Sequence, residues 1–455
     1  MMPISPTMPS DSLLIVAWFF PPDGGAGSQR PASFARESPG HGWKTTVATR
    51  GTGHDRGRWE TRDDSLLLDL ENTIDLDRVE IPGSASPGSL PVIDGLPDVA
   101  LPLGARVLEL VDRDQPSVVL LTMSPFWLSA LVEPIRARSD ARIVVDLRDP
   151  WTLDYWPIYR NKRRFQSQQQ QMLTSLAAVD GVIMNTQGAR RDLLRTFGER
   201  LPDDFESRVG VIENGFSRTD FPDSSNYERK RMLEIVHAGT FHCEHLPGNR
   251  SLRSRLSGLR QTSRMKIDRT GRTPHHLLDA ARMLADRDLD FDRNVRFRFI
   301  GHVDDSLKRC VKGSGIAEKV TLDGYQTHSR IVGSMCEAGA LFLPGAGLPD
   351  GVEDLIVPGK TYEYLASRRP ILGAIDRGDA RRLLERAGGS YLCEPCSTES
   401  ISAALERLHA DWCSGVLDDG SFRDQSVLGE FERSRLASRL DAHLRIILEL
   451  PPRSG

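Results

Sequence analysis

The sequence has no long hydrophobic run. Its first apolar stretch, Leu13 to Phe20, follows no basic segment and falls far short of the roughly 20 residues that cross a bilayer. It reads as a buried first strand, and the expected location is the cytoplasm. An excess of one charge sign is missing too: 59 Lys plus Arg against 63 Asp plus Glu leave a net charge of −4, so no global basic field argues for nucleic acid. Any basic site must be local. Cysteine is sparse, six in 455 residues, and only Cys393 and Cys396 stand close together, in LCEPCS. A C-x-x-C with no second pair and no nearby His is weak as a metal site and reads better as two reduced thiols. With 39% hydrophobic and 27% charged residues, the chain has an ordinary globular composition and is long enough for two or three domains with full cores.

The most informative stretch is Val357 to Leu372, VPGKTYEYLASRRPIL. Pro358 and Gly359 set a turn that opens onto a short helix, whose free N–H groups and positive dipole end suit an anion. Lys360 adds a full cation there. Glu363, one turn on, can accept two hydroxyl hydrogen bonds, as the vicinal diol of a ribose offers them. Tyr364, Leu365 and Ala366 give an apolar face, and Arg369-Pro370 ends the helix before a strand from Ile371 to Ala374. The competing reading makes Lys360 and Glu363 surface charges of one more αβ unit.

PGKTYEYLA followed by RRPIL resembles the donor-site segment of the retaining nucleotide-sugar glycosyltransferases of family 4, which have the two-domain GT-B fold. That resemblance implies an α/β protein of two Rossmann-like domains facing a cleft, with a C-terminal helix packing back on the first domain.

Taken in order, Met1 to Ser10 is a Pro/Ser-rich tail, expected to be disordered. LLIVAWFFPP is a buried strand, DGGAGSQR a Gly-rich loop opening a helix, and Thr45 to Thr49 a second strand, which together make a βαβ opening. Gly24, Gly25 and Gly27 let backbone approach a ligand, and Arg30 can pair with phosphate or carboxylate. Many doubly wound domains carry such a loop without a nucleotide. The segment through GHGWKTTVATR is similar to the same family's N-terminal half, where the loop lies near the transferred sugar. Gly51 to Gly104 is polar, rich in Pro and Gly, and reads as a long irregular insert with a possible role in acceptor contact.

ARIVVDLRDPWTLDYW follows, with a strand from Ile143 to Asp146 and then Asp146, Arg148, Asp149 and Trp151 at its carboxyl end, where open α/β sheets place their ligands. Carboxylates that take hydroxyl protons and rings that cover sugar faces suit a polyhydroxylated acceptor. The alternative is a structural Asp-Arg pair with Trp151 and Trp156 as core. DLRDPW is similar to a segment of one branch of the family. The basic run Tyr159 to Arg164 is a solvated face or a means of steering an acidic or lipid-linked acceptor at a membrane surface. Asn214-Gly215 resembles the family's turn near the interdomain crossing, and Ser217 to Arg231 reads as a linker.

The second half repeats the grammar. LEIVHAGTFH is a strand into a Gly turn, like the start of the family's donor domain. An Arg-rich stretch, Cys243 to Gly271, interrupts the usual short loop, after which Arg272 best matches the family's diphosphate-contacting basic residue, with Gly239 and Thr240 as backbone partners. Gly301 to Val303 and Gly324-Tyr325 fall where relatives bracket the nucleobase. One departure stands out: family members often carry two glutamates eight positions apart, and counting back from Glu363 lands on Leu355, with Glu353 and Asp354 close enough to substitute.

The resemblance thus implies an N-terminal acceptor-side domain over residues 12–218, a donor-binding domain over 232–428 and a crossover helix in 429–455. It implies a retaining, metal-independent transfer of a sugar from a nucleotide-diphosphate sugar to a hydroxyl of a glycan, lipid-linked or small-molecule acceptor, with no cofactor. Asp149, Arg272 and Lys360 are the expected catalytic residues. The donor contacts are Gly24, Gly25, Gly239, Thr240, Arg272, Lys360 and Glu363, and the acceptor contacts are Arg30, Asp146, Arg148, Asp149 and Trp151. A nucleotide-sugar 2-epimerase, a pseudo-glycosyltransferase and a non-catalytic assembly partner on the same fold remain open.

Overall fold

A computed structural model describes residues 11–52, 62–67, 70, 72–81, 94–222, 231–246, 261–418 and 422–453. The chain forms two compact units. One comprises Met1–Asp154, Gln166–Asn214 and Arg433–Gly455, the other Tyr155–Phe165 and Gly215–Glu432. Asn214-Gly215, expected near a crossing, is one of the four points where the chain passes between them.

The first unit is a seven-stranded sheet of β1 (Ser12–Ala17), β2 (Lys44–Arg50), β3 (Asp75–Val79), β4 (Val118–Thr122), β5 (Arg142–Leu147), β6 (Gly181–Met184) and β7 (Val209–Val211) in the order β3-β2-β1-β4-β5-β6-β7. Every pairing is parallel. Central strands such as VVLLT are buried along their whole length, which is why they read as continuous apolar runs rather than alternating ones. β3 corrects the expectation of an irregular insert over Gly51 to Gly104. It pairs with β2 along one side only, and its residues DLDRV are exposed or half-buried, so the hydrophobic signal of a buried strand is missing. Residues 53–61 and 82–93 of that stretch, and the tail Met1 to Ser10, lie outside the described residues.

The helix Arg433–Glu449 belongs to this same unit. Its apolar stripe Leu436, Leu440, Leu444 and Ile447 enters the core formed by Leu13, Ile15, Val144 and Ile183. Trp43 Nε1 donates to Asp441 at 2.9 Å, and Arg439 pairs with Glu213 at 2.7 Å. The C-terminal helix therefore returns to the N-terminal unit, as the fold class requires.

The second unit carries β8 (Leu233–Ala238), β9 (Val295–Ile300), β10 (Val320–Asp323), β11 (Ala340–Pro344), β12 (Ile371–Ala374) and β13 (Ser390–Cys393) in the order β10-β9-β8-β11-β12-β13, again all parallel. Helices cover both faces. One core gathers Leu277, Leu278, Phe297, Phe342 and Leu405, and the other Val236, Ile300, Leu343, Tyr364 and Leu365. Of the Arg-rich stretch, residues 247–260 lie outside the described residues. Thr262 forms a bridge with Tyr159, and Asp268 with Gly347. Strand order reverses between β1 and β4 in one sheet and between β8 and β11 in the other, and such switch points open crevices at the strands' carboxyl ends. Among the described residues no helix is long and apolar enough to cross a membrane.

Candidate functional site

In the first unit the predicted residues gather at the carboxyl ends of β1 and β5. Gly24 and Gly25 form the turn before the helix Ala26–Glu37, with Gly25 as its N-cap. Arg30 and Asp146 meet each other: Arg30 Nη2 lies 2.6 Å and Nε 2.9 Å from the Asp146 carboxylate, both side chains are buried, and Nη1 donates to the Glu213 carbonyl at 2.9 Å. That pair fixes the helix to the sheet and leaves Asp146 little freedom to take a second partner.

Arg148 lies over the Phe19 ring at 5.7 Å, and its guanidinium fills the space that a Cβ on Gly27 would occupy. The loop is held by Asn185, whose side-chain amide donates to the Arg148 carbonyl at 2.5 Å. Asp149 forms an ion pair with Arg148, 3.3 Å from its Nε, while nearly half its side chain faces solvent, so it is the accessible carboxylate of DLRDPW. Trp151 is buried and stacks flat on Phe126 at 4.9 Å. Its ring packs the loop and has no free face for a sugar.

In the second unit the residues assemble at the β8/β11 switch point. The helix Gly359–Ala366 starts after Pro358, and Tyr364 from its second turn accepts the Ala238 N–H at 2.8 Å, which ties the helix to the end of β8. Lys360 is thereby brought over Gly239: its ammonium occupies the place of a Gly239 Cβ, and Gly239 holds φ at +135°, where L side chains are strained. Thr240 follows in the same turn. Arg272 closes the short turn Thr270–Arg272, donates from Nη1 to the Pro344 carbonyl at the end of β11 at 3.2 Å, and lies 5.4 Å from the Trp156 ring.

Electrostatically this corner is cationic. Among the described residues neither Arg272 nor Lys360 has a carboxylate within ion-pair distance, although both are half-buried and desolvated. Desolvation, followed by the charge of Arg272, pushes the Lys360 amine down to about 7. The expectation of a full lysine cation is corrected accordingly: without an anion, Lys360 is only partly charged at neutral pH. Desolvation also lowers Arg272 from its usual value. His237, beneath them, is fully buried and stacks on Phe241 at 4.1 Å. Its Nδ1 lies 3.0 Å from the Phe342 carbonyl, and burial, followed by Lys360, holds the ring neutral.

Glu363 faces His328, whose Nε2 lies 2.8 Å from Oε1. Sequence reasoning missed His328, since a His at the start of a distant helix carries no local signal. Glu353 pairs outward with Arg382 at 2.7 Å. Asp354 is the buried one: it accepts the Tyr155 hydroxyl at 2.5 Å and the Ile356 N–H at 2.9 Å, and burial raises its carboxyl to about 6. Of the two acids offered in place of Leu355, only Asp354 stays inside the unit. Tyr155 and Trp156, from the strip Tyr155–Phe165 that joins this unit, were also unforeseen as partners of Asp354 and Arg272.

The sequence matches no protein-family model and no curated protein. Solved structures do resemble the chain along its length. A glycosyltransferase from Rickettsia africae ESF-5 aligns with a TM-score of 0.61 at 12% identity, covering 98% of this chain and 100% of that one. A sucrose-phosphate synthase from Thermosynechococcus elongatus aligns with a TM-score of 0.62 at 12% identity over 96% and 98% of the two chains. A structure described as a UDP-N-acetylglucosamine 2-epimerase from Listeria monocytogenes gives 0.56 at 13% over 97% and 98%. At such identities the likeness is one of fold, and the fold is the doubly built α/β arrangement of GT-B proteins.

Proposed function

We propose that the chain is a glycosyltransferase of family 4 type, moving a sugar with retention from a nucleotide-diphosphate sugar to a hydroxyl of a glycan, lipid-linked or small-molecule acceptor. The observation that carries this reading is the pair of cations Arg272 and Lys360, neither within ion-pair distance of a carboxylate among the described residues, at the β8/β11 switch point beside a helix start. Desolvation disfavours the charge on both, and a diphosphate beside them offsets that cost. As the glycosidic bond to the diphosphate breaks, negative charge grows on the leaving oxygen, and fixed cations and helix-start amides there stabilise the transition state more than the ground state. In this role they do the work that a metal does elsewhere, so the transfer is read as metal-independent.

Glu363, held by His328, accepts the ribose hydroxyls in this reading, with Gly239 and Thr240 giving backbone access to the diphosphate. Asp149 and Arg148 orient the acceptor hydroxyl, and Gly24 and Gly25 allow close approach to the transferred sugar. Retention follows from same-face attack, with the leaving phosphate taking the acceptor's proton. The structures of this fold named above include a glycosyltransferase and a sucrose-phosphate synthase, which supports a glycosyl-transfer reading.

The test is a thermal-shift screen with UDP, GDP, TDP and ADP, followed by the matching nucleotide sugars with and without candidate acceptors. One diphosphate is expected to raise Tm, and its sugar to release the nucleotide rapidly only when an acceptor is present. No shift with any of the four, in a protein whose Arg272→Ala variant behaves the same, would overturn the assignment. Conversion of UDP-N-acetylglucosamine to its C2 epimer without an acceptor would move the chain to the epimerase reading that the Listeria monocytogenes structure illustrates.

A further inference from the structure

The segment after β8 holds a second constellation. Residues 242–245, His-Cys-Glu-His, contain the short 3-10 turn Cys243–His245 with His242 as its N-cap, and the His242 and His245 rings lie side by side with centroids 6.2 Å apart. The turn is anchored from within: Phe241 and Cys243 are buried on either side of His242, and the His245 and Leu246 N–H groups close it onto the His242 and Cys243 carbonyls at 3.2 and 3.1 Å. His242, Glu244 and His245 stay at the surface or half-buried. One donor atom from each lies within 4.8 Å of the others, with His242 Nδ1 3.4 Å and His245 Nε2 3.9 Å from Glu244 Oε1.

We propose that His242, Glu244 and His245 form a binding site for a borderline divalent ion of the zinc class. Two imidazoles and a carboxylate are donors such ions take, and metal–ligand bonds of about 2.0–2.1 Å place neighbouring donors of a tetrahedral site about 3.4 Å apart. The His242–Glu244 separation has that value, a small rotation of the exposed glutamate shortens its 3.9 Å edge to His245, and a turn of the two half-buried imidazoles closes the third, which lies within 4.8 Å. Three protein ligands leave a fourth position to water. Arg272 and Lys360 act on His242 electrostatically and oppose a dication, so the Glu244 carboxylate supplies the offsetting charge. The site is separate from the transfer chemistry in its donors but not in its backbone: the His242 N–H donates to the Arg272 carbonyl at 3.1 Å, so an ion that stiffens this turn also fixes the main chain at Arg272.

The full chain, stripped with a chelator and dialysed, is titrated with Co2+ and with Zn2+ by calorimetry and by the visible absorption of tetrahedral cobalt. The expected result is one ion per chain, displaced from cobalt by zinc. His245→Ala and Glu244→Gln, each checked for native circular dichroism, should weaken binding by at least about tenfold, the lower bound for disturbing even an outer partner of a metal ligand. His275→Ala, in the nearby His275–Asp279 pair, should leave it unchanged. Failure of the parent to bind either ion at micromolar concentration, or full binding by both site variants, would overturn the proposal.

Discussion

In the N-terminal unit Arg30 meets Asp146 at 2.6 Å, Arg50 meets Asp23 at 2.8 Å and Arg136 meets Asp180 at 2.8 Å, each on a buried carboxylate. In the C-terminal unit Arg272 and Lys360 stand at the sheet's switch point with no such partner among the described residues. Arg423 of the same unit shows that a missing carboxylate is not by itself the signal. Its Nη groups donate to the carbonyls of Gly388, Arg369 and Gly389 at 2.6 to 3.3 Å, and it holds strand and helix ends together, even with burial lowering it to about 9. A buried cation that is paired, or bonded to several carbonyls, is structure. Two neighbouring cations, one with a single carbonyl bond and the other over a glycine at positive φ, mark a place where the ligand completes the electrostatics.

The comparison breaks most visibly at Asp146. Asp146→Ala strands the Arg30 guanidinium in the core, and removing one partner of a buried pair costs about 3–5 kcal/mol. The expected outcome is a large drop in the urea midpoint, with nucleotide-diphosphate binding unchanged in the folded fraction. Arg272→Ala should do the reverse: little or no loss of stability, because a desolvated cation is removed, but a kcat lower by about 10²–10³ fold with a smaller change in KM. An Arg272→Ala protein that unfolds as readily as Asp146→Ala would erase the distinction between the two units.

Much of this was legible. Apolar runs such as LLIVA and ILGA are buried along their length and announced strands, and the PGK turn announced a helix start with Lys360 in its first turn. What was hidden depended on partners far apart in sequence. Arg30 looked like an anion ligand until Asp146, 116 residues on, was seen to hold it. Trp151 looked like a sugar platform until its ring lay flat on Phe126. β3 carried no pattern because an edge strand with exposed and half-buried side chains needs no apolar run. The ionisation of Lys360 was illegible for the same reason, since burial and Arg272 set it and neither is local.

A smaller effect sharpens the contrast at Glu363. Where Asp146, Asp23 and Asp180 of the first unit meet arginines, Glu363 meets a histidine, His328, at 2.8 Å. Glu363→Gln should weaken nucleotide binding by about 1.5–3 kcal/mol, the worth of hydrogen bonds to a charged group, while the melting temperature barely moves. Calorimetric titration with the preferred diphosphate checks this, and unchanged affinity would remove Glu363 from the ribose site.

The smallest effect is a proton. In the free protein Lys360 titrates near 7, because burial and Arg272 disfavour its charge. A bound diphosphate favours the ammonium and raises that value towards an ordinary lysine's, so above pH 7 binding must take up a proton. Affinity should therefore be level just below pH 7 and fall above it, by at most about tenfold per pH unit. Stability of the free protein runs the other way. The unfolded chain keeps its lysine protonated up to about 10.4 and so binds more protons than the folded one in this window, which makes folding more favourable as pH rises from 7. Opposite slopes for stability and affinity come from one depressed lysine and from none of the paired arginines of the first unit. Lys360→Arg, which stays charged throughout, should flatten the affinity slope. Calorimetry at pH 8 in buffers of different ionisation enthalpy reads the proton directly, and a buffer-independent heat with level affinity from pH 7 to 9 would show that the diphosphate does not meet Lys360.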